Sequence, residues 1–271
     1  MAKVTDGRTL YARAHRERFA MPAFNVCNLE MAQGVVEAAE AEHAPVILQT
    51  YPGDIAHGKP ALAPLLNALA DEASVPVMLH LDHGDGLEMA VDCLKLGYSS
   101  VMFDGAELDL EENIARTGPI AEAAHDFGAS VEGEVGLFGG DHGSVVYTDP
   151  AEAARFASES GADTLAVSVG SEHAQKSRLK LDLLRTVAET TGHPLVLHGG
   201  SGIHPDDVRA AVALGVVKIN IGNALGLAVR EGARSALELE LGHYEMLGAV
   251  RDAVRRVAQD KIKLMGAAGH A

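Results

Sequence analysis

Three histidines stand where apolar runs of strand length come to an end. His198 closes the run 194–198 and leads at once into Gly199, Gly200, Ser201 and Gly202; His173 follows the run 164–170, and His83 follows 77–82. One histidine at a strand tip is as often a turn or core residue as a ligand. Three on three tips is the pattern a metal site needs, and three neutral imidazoles with open positions suit catalytic Zn2+, replaceable by Fe2+, Co2+ or Mn2+. Asp82 immediately precedes His83, so strand alternation predicts that the two side chains face different sides, one toward metal and the other toward substrate as an acid or base. Glu132 and Glu134 share a face with Gly133 between them. Buried carboxylates need partners, so Glu134 is expected to support or ligate the metal and Glu132, deeper, to be structural. Asn25, Gln49, Asp104 and Asn220 end other apolar runs and complete the polar set.

Two stretches have the makings of an anion site. Glycines 199, 200 and 202 permit close backbone approach, and Asn220, Gly222 and Asn223 lead into a helix whose N-terminal N–H groups and dipole attract anions. The loop 137–143, with Asp141 and His142, reads as a lid that brings a further polar group over the site on closure.

The elements that must carry these residues follow from periodicity. Eight strand candidates, at 19–26, 44–50, 76–82, 100–104, 130–136, 164–170, 194–198 and 216–221, alternate with amphipathic stretches at 30–41, 85–97, 109–127, 150–160, 180–191 and 205–214. Regular β/α alternation implies parallel strands, and eight units close an α/β fold of the (β/α)8 TIM-barrel kind, with its chemistry at the C-terminal strand ends. A doubly wound sheet is the rival, but Asn25-Val-Cys-Asn-Leu-Glu30 replaces the dinucleotide-binding glycine fingerprint after the first strand. Beyond 222 a helix runs to about 239 and an extra C-terminal helix to 264, either packing outside the barrel or reaching a neighbouring subunit. The last residues, 266–271, read as a flexible tail. Residues 1–271 are thus expected to form one domain.

The chain is 47% apolar, enough for a large core, with formal charge −16 and no Lys/Arg cluster, which argues against nucleic acid or an anionic membrane as partner. No apolar run approaches the ~18 residues that span a bilayer. Cys27 and Cys93 have no metal spacing and suit a reducing, cytoplasmic setting.

The motifs His80-Leu-Asp-His-Gly84, Val101-Met-Phe-Asp-Gly105, Glu132-Gly-Glu-Val-Gly136, His198-Gly-Gly-Ser-Gly202 and Lys218-Ile-Asn220, with Pro22-Ala-Phe-Asn-Val26 and Gly266-Ala-Ala-Gly269, closely resemble those of class II, metal-dependent ketose-bisphosphate aldolases. The resemblance runs in order over nearly the whole chain. It implies a zinc barrel, a homodimer or homotetramer, cleaving fructose or tagatose 1,6-bisphosphate to dihydroxyacetone phosphate and glyceraldehyde 3-phosphate, with a monovalent cation as an optional assistant. His83, His173 and His198 match the zinc ligands, Asp104 and Glu134 match alternative metal positions, and Asp82 matches the group handling the C4 hydroxyl proton. Gly199, Ser201 and Asn220 match the dihydroxyacetone phosphate site, around which Asn25, Gln49, Gly200, Gly222 and Asn223 are grouped. The sequence departs from the family pattern at Ala174, where a glycine is usual; at Gly222 and Asn223, where Asp or Ala and then Thr or Ser are usual; and at Asp141-His142, in place of an acidic pair. Gly222 leans toward the tagatose branch. Three other readings stand beside this one: a relative acting on a differently substituted or unphosphorylated ketose, Schiff-base chemistry through Lys218 or Lys176, and a non-catalytic sugar-phosphate-binding subunit. Lys218 is expected instead to form a buried ion pair.

Overall fold

The computed structural model describes residues 3–137, 145–172 and 175–271. Its elements are α1 Gly7–Glu17, β1 Met21–Asn25, α2 Leu29–Ala41, β2 Val46–Thr50, α3 Pro52–Glu72, β3 Val77–Gly84, α4 Leu87–Lys95, β4 Ser100–Phe103 and α5 Leu110–Asp126. These continue as β5 Ser130–Val135, α6 Pro150–Glu159, β6 Thr164–Val167, α7 Leu181–Thr191, β7 Leu195–Leu197, α8 Pro205–Ala213, β8 Val216–Ile221, α9 Asn223–Glu238 and α10 His243–Leu264. Strands β1 to β8 are parallel, neighbour one another in chain order, and close through β8 against β1. All eight strands fall inside the expected apolar runs except at β3, which extends two residues further, through His83 and Gly84. No helix among the described residues is long and apolar enough to cross a membrane.

Two helices escape the periodicity. α1 is short, but Asp6 caps it by accepting from the Arg8 N–H at 2.9 Å, and Leu10, Tyr11 and Ala14 are buried. A Cβ on Gly7 would meet Met78 and Ser130, at the starts of β3 and β5, so α1 packs at the N-terminal end of the barrel, opposite the mouth. α3 holds Pro52, Gly53, Gly58, Pro60 and Pro64, a composition that reads as loop. It is two helical pieces meeting at Lys59 (φ 49°), the residue before Pro60, where the proline ring disfavours helical backbone.

The extra helix α10 lies across α2 and α9. Small residues allow the approach: a Cβ on Gly34 would sit 2.7 Å from the Arg251 carbonyl, and one on Gly232 2.8 Å from that of Ala249. The C-terminal segment expected to be a flexible tail is instead docked. Ala267 is fully buried, Gly269 N–H donates to Glu42 O and Ala271 N–H to His43 O, and the His270 ring stacks on Phe19 at 4.3 Å. Its glycine-rich composition says nothing of these partners, which come from α2 and the start of the barrel.

The barrel interior is polar at its midsection. Lys218 on β8 reaches across to Glu132 on β5, with Nζ 2.8 Å from Oε2 and 3.1 Å from Oε1, and both side chains are fully buried. The same ammonium lies 3.3 Å from His80 Nε2, while His80 Nδ1 bonds Ser100 Oγ at 2.8 Å. Burial first, and then the charge of Lys218, keep His80 well below its ordinary pKa and hence neutral. The buried ion pair expected of Lys218 is present. Removing one partner strands the other in a low-dielectric interior, so Lys218→Met should lower unfolding stability by about 3–5 kcal/mol. Urea denaturation followed by far-UV circular dichroism measures this, and a loss below about 1 kcal/mol would contradict the account.

Candidate metal-dependent active site

Asp82, near the end of β3, is the hub of the barrel mouth. Its Oδ2 accepts from Asn25 Nδ2 (2.8 Å) and Gln49 Nε2 (3.0 Å), and its Oδ1 from Asn220 Nδ2 (2.9 Å). Those donors come from the tips of β1, β2 and β8. Gln49 also donates to Asn25 Oδ1 at 2.9 Å, so the amides brace one another. Burial alone would raise the Asp82 pKa, but His83, His198, Lys218 and the Asn25 hydrogen bond together hold it below the usual carboxylate range. Gln49, expected to touch substrate, is fully buried and its amide serves Asp82.

Alternation does not separate Asp82 from His83 as the sequence predicts. His83 adopts a left-handed backbone (φ 51°), and the β3–β4 register shifts between Leu81 and Gly84. The strand turns there, and His83 Nε2 comes to 4.0 Å from Asp82 Oδ1. Left-handed backbone at a non-glycine residue costs about 1–2 kcal/mol, a local strain of the kind that collects at functional sites.

The two described histidines of the mouth, His83 and His198, each have a carboxylate behind them. His83 Nδ1 lies 2.7 Å from Asp104 Oδ2, and His198 Nε2 lies 3.0 Å from Glu132 Oε1. Because Glu132 is salt-bridged to Lys218, it acts as an acceptor, so His198 carries its proton on Nε2. Its Nδ1 is then the basic nitrogen, 3.7 Å from Glu134 Oε2. His83 likewise turns Nδ1 to Asp104, with Nε2 on the side of Asp82. Carboxylates fixing the far nitrogen of an imidazole are the usual support of metal-binding histidines. Ligand atoms of Asp82, His83 and His198 fall within 4.8 Å of one another, as do those of His83, Asp104 and Glu134.

The charge balance points the same way. Burial opposes charge on His83, yet Asp82, Asp104 and Glu134 outweigh it and lift its pKa to about 10. Burial likewise pushes Glu134 well above the usual carboxylate range, and Glu134 Oε2 is buried without a hydrogen-bond partner among the described residues. This is a pocket of negative field with an unsatisfied oxygen, and a divalent cation fits it. His173, Ala174, Asp141 and His142 lie outside the described residues.

A cavity of about 560 Å³ opens at this mouth, bounded by Asn25, Asp82, His83 and Asn220 and continuing between the tips of β7 and β8. There it meets Gly199 (φ 68°), Ser201, Gly222 and Asn223 at the start of α9. The two expected anion-binding stretches are joined, since Ser201 Oγ accepts the Ala224 N–H at 3.1 Å. Not every amide is available as expected. Gly200 N–H is committed to Asn220 O and Gly202 N–H to Gly199 O, so neither amide is open to a ligand. Sequence reasoning missed Tyr51 and Asp54, which also line the cavity. Asp54 sits in the first turn of α3 and accepts from Tyr51 N–H at 3.2 Å; burial, with a contribution from Asp82, raises its pKa to about 7. Its only sequence signal is an acidic residue two places after Pro52, an ordinary helix-start pattern.

An eight-stranded parallel barrel with imidazoles backed by carboxylates at its C-terminal mouth is a barrel of the enzyme kind with side chains that could hold a metal ion. More closely, residues 5–270 match the model of the class II fructose-bisphosphate aldolases, and the chain belongs to that family, whose members are carbon–carbon lyases. It is 36% identical to a fructose-bisphosphate aldolase of Thermus caldophilus, over 99% of this chain and the whole of that one. It is 34% identical to a sulfofructosephosphate aldolase of Alkalicoccus urumqiensis, over 96% of both chains. Among solved structures, the YdjI aldolase of Escherichia coli K12 superposes with a TM-score of 0.91 at 34% identity, covering 99% of each chain.

If a metal ion takes His83 as a ligand, it displaces the proton on that ring. With a pKa raised to about 10, His83 is protonated in the metal-free protein at pH 7.5, so zinc binding should release about one proton. Calorimetry in two buffers of different ionisation enthalpy measures this directly. Equal heats in both would contradict the proposed role of His83.

Proposed function

We propose that this aldolase uses a divalent cation, zinc first, to cleave the C3–C4 bond of a ketose carrying a C1 phosphate, the class that includes fructose and tagatose 1,6-bisphosphates. The products are dihydroxyacetone phosphate and an aldehyde. The observation that carries the reading is the ionised Asp82, held by three amides beside two carboxylate-backed histidines.

His83 and His198 would hold the ion together with His173, and Asp104 and Glu132 would fix the ring orientations, with Glu134 at hand as an alternate ligand. When bound, the cation supplies positive charge beside the substrate oxygens on which negative charge accumulates as the bond breaks. Everything else falls to the chain. Asp82 takes the C4 hydroxyl proton as the C3–C4 electron pair moves toward C2 and the C4 carbonyl forms; return of a proton to C3 completes dihydroxyacetone phosphate. Asn25 and Asn220 keep Asp82 aimed. The C1 phosphate is placed against Gly199, Ser201 and the α9 N-terminus, with Gly222 and Asn223 alongside. Lys218 is committed to Glu132 in the barrel interior, which removes the main support for Schiff-base chemistry.

We further propose a homodimer or homotetramer, supported by the exposed Leu237, Leu239 and Tyr244 where α9 meets α10, in a reducing cytoplasm suited to the free Cys27 and Cys93.

The test is a coupled assay for dihydroxyacetone phosphate release from fructose and tagatose 1-phosphates and 1,6-bisphosphates, with and without chelator. The wild type should show chelator-sensitive cleavage of at least one sugar. Asp82→Ala should lose about 10²–10⁴-fold in kcat, the range for an acid–base group, while retaining zinc, and His198→Ala should lose zinc itself. Cleavage that survives metal removal would overturn the reading.

A further inference from the structure

The aldolase reading places the ion and the C1 phosphate but leaves open what lies at the other end of the sugar. The barrel order gives the direction. The anion cradle lies at β7 and β8, Asp82 and His83 at β3, and the cavity continues past β1 to the start of α3 after β2. A ketose with its phosphate against Gly199 and Ser201 and its C4 hydroxyl at Asp82 extends its remaining carbons toward that wall, which is formed by Met31, Tyr51 and Asp54.

This wall is the wrong chemistry for a second phosphate. Among the described residues that line the cavity there is no lysine or arginine. Gly226, on the first turns of α9, presents no side chain, and a Cβ built there would meet nothing within 4 Å. In place of a cation stands Asp54, a carboxyl only 8% exposed. A phosphate there would be brought against a like charge in a poorly solvated space. Hydroxyl groups are the complementary ligand: an ionised carboxylate offers about four lone-pair positions, of which the Tyr51 N–H takes one. We propose that Asp54 is a specificity residue that selects ketose 1-phosphates whose departing aldehyde half is a neutral, hydroxyl-bearing chain, and that it disfavours a phosphate at that end. The proposal rests on the aldolase reading.

A purely structural role for Asp54, capping the Tyr51 N–H at the start of α3, predicts something different. Asparagine accepts the same hydrogen bond without the charge. The experiment uses the zinc-loaded full-length protein in the aldol direction at pH 8.5, with dihydroxyacetone phosphate and either D-glyceraldehyde or D-glyceraldehyde 3-phosphate, for wild type, Asp54→Asn and Asp54→Ala. Wild type should favour the unphosphorylated aldehyde at least tenfold in kcat/KM. Asp54→Asn should shift the ratio of the two at least tenfold toward the phosphorylated one, chiefly through its KM, and Asp54→Ala should shift it in the same direction. A wild type that prefers the phosphorylated aldehyde, or a ratio unmoved by Asp54→Asn, overturns the proposal. Exchange of the C3 hydrogen of dihydroxyacetone phosphate with deuterated solvent, followed by NMR in the wild type without any aldehyde, separates the two levels. Exchange with the wrong aldehyde preference defeats the assignment of Asp54 alone; no exchange and no turnover defeats the aldolase reading and this proposal with it.

Discussion

Carboxylates buried together at one end of a barrel must be compensated, and the rest of the site is arranged to meet that constraint. Asp82, Glu132 and Glu134 are almost wholly buried, and Asp104 stands beside them. Three of the four have a distinct answer: Lys218 for Glu132, three side-chain amides for Asp82, the His83 ring for Asp104. Glu134 has none for its outer oxygen among the described residues. Without a metal the field is relieved by a proton on His83. In the proposed metal-bound state the same field would favour the cation in place of that proton.

The surrounding architecture keeps that arrangement rigid. Donors to Asp82 come from β1, β2 and β8, so the hub is tied to three strands whose relative positions are fixed by the ladder of a closed barrel, which has no free edge. α1 packs at the opposite end through Gly7, leaving chemistry to the mouth. α10, which barrel closure does not require, lies across α2 and α9, and its Lys261 donates to the Gly200 and Ser201 carbonyls at 3.3 and 3.2 Å. The C-terminal helix thereby holds the back of the loop that lines the cavity through Gly199 and Ser201.

Much of this is legible in the chain because strands buried on both faces read as apolar runs, and polar residues at their ends stand out. His83, His198, Asp82 and Asn220 are visible for that reason, as are Glu132 and Glu134 through their spacing. What stays hidden depends on single backbone angles or distant partners. The common side shared by Asp82 and His83 comes from one left-handed residue and a register shift, which no alternation rule contains. α3 is masked by its own prolines and glycines, and Asp54 by its resemblance to an ordinary helix start. The docked C-terminus owes its order to Phe19, Glu42 and His43, hundreds of residues away in sequence. The class II aldolase family is readable from the combined motifs, which run in order over nearly the whole chain.

The most direct test of the account is to locate the metal. Crystals of the zinc-loaded protein, with anomalous differences collected on both sides of the zinc edge, should place one ion about 2.0–2.1 Å from a nitrogen of His83 and of His198, with Asp104 and Glu132 still on the far nitrogens. An ion bound elsewhere on the chain, or a fully loaded protein in which either imidazole lies outside coordination distance, would contradict the claim that the buried carboxylates at this mouth exist to hold a cation.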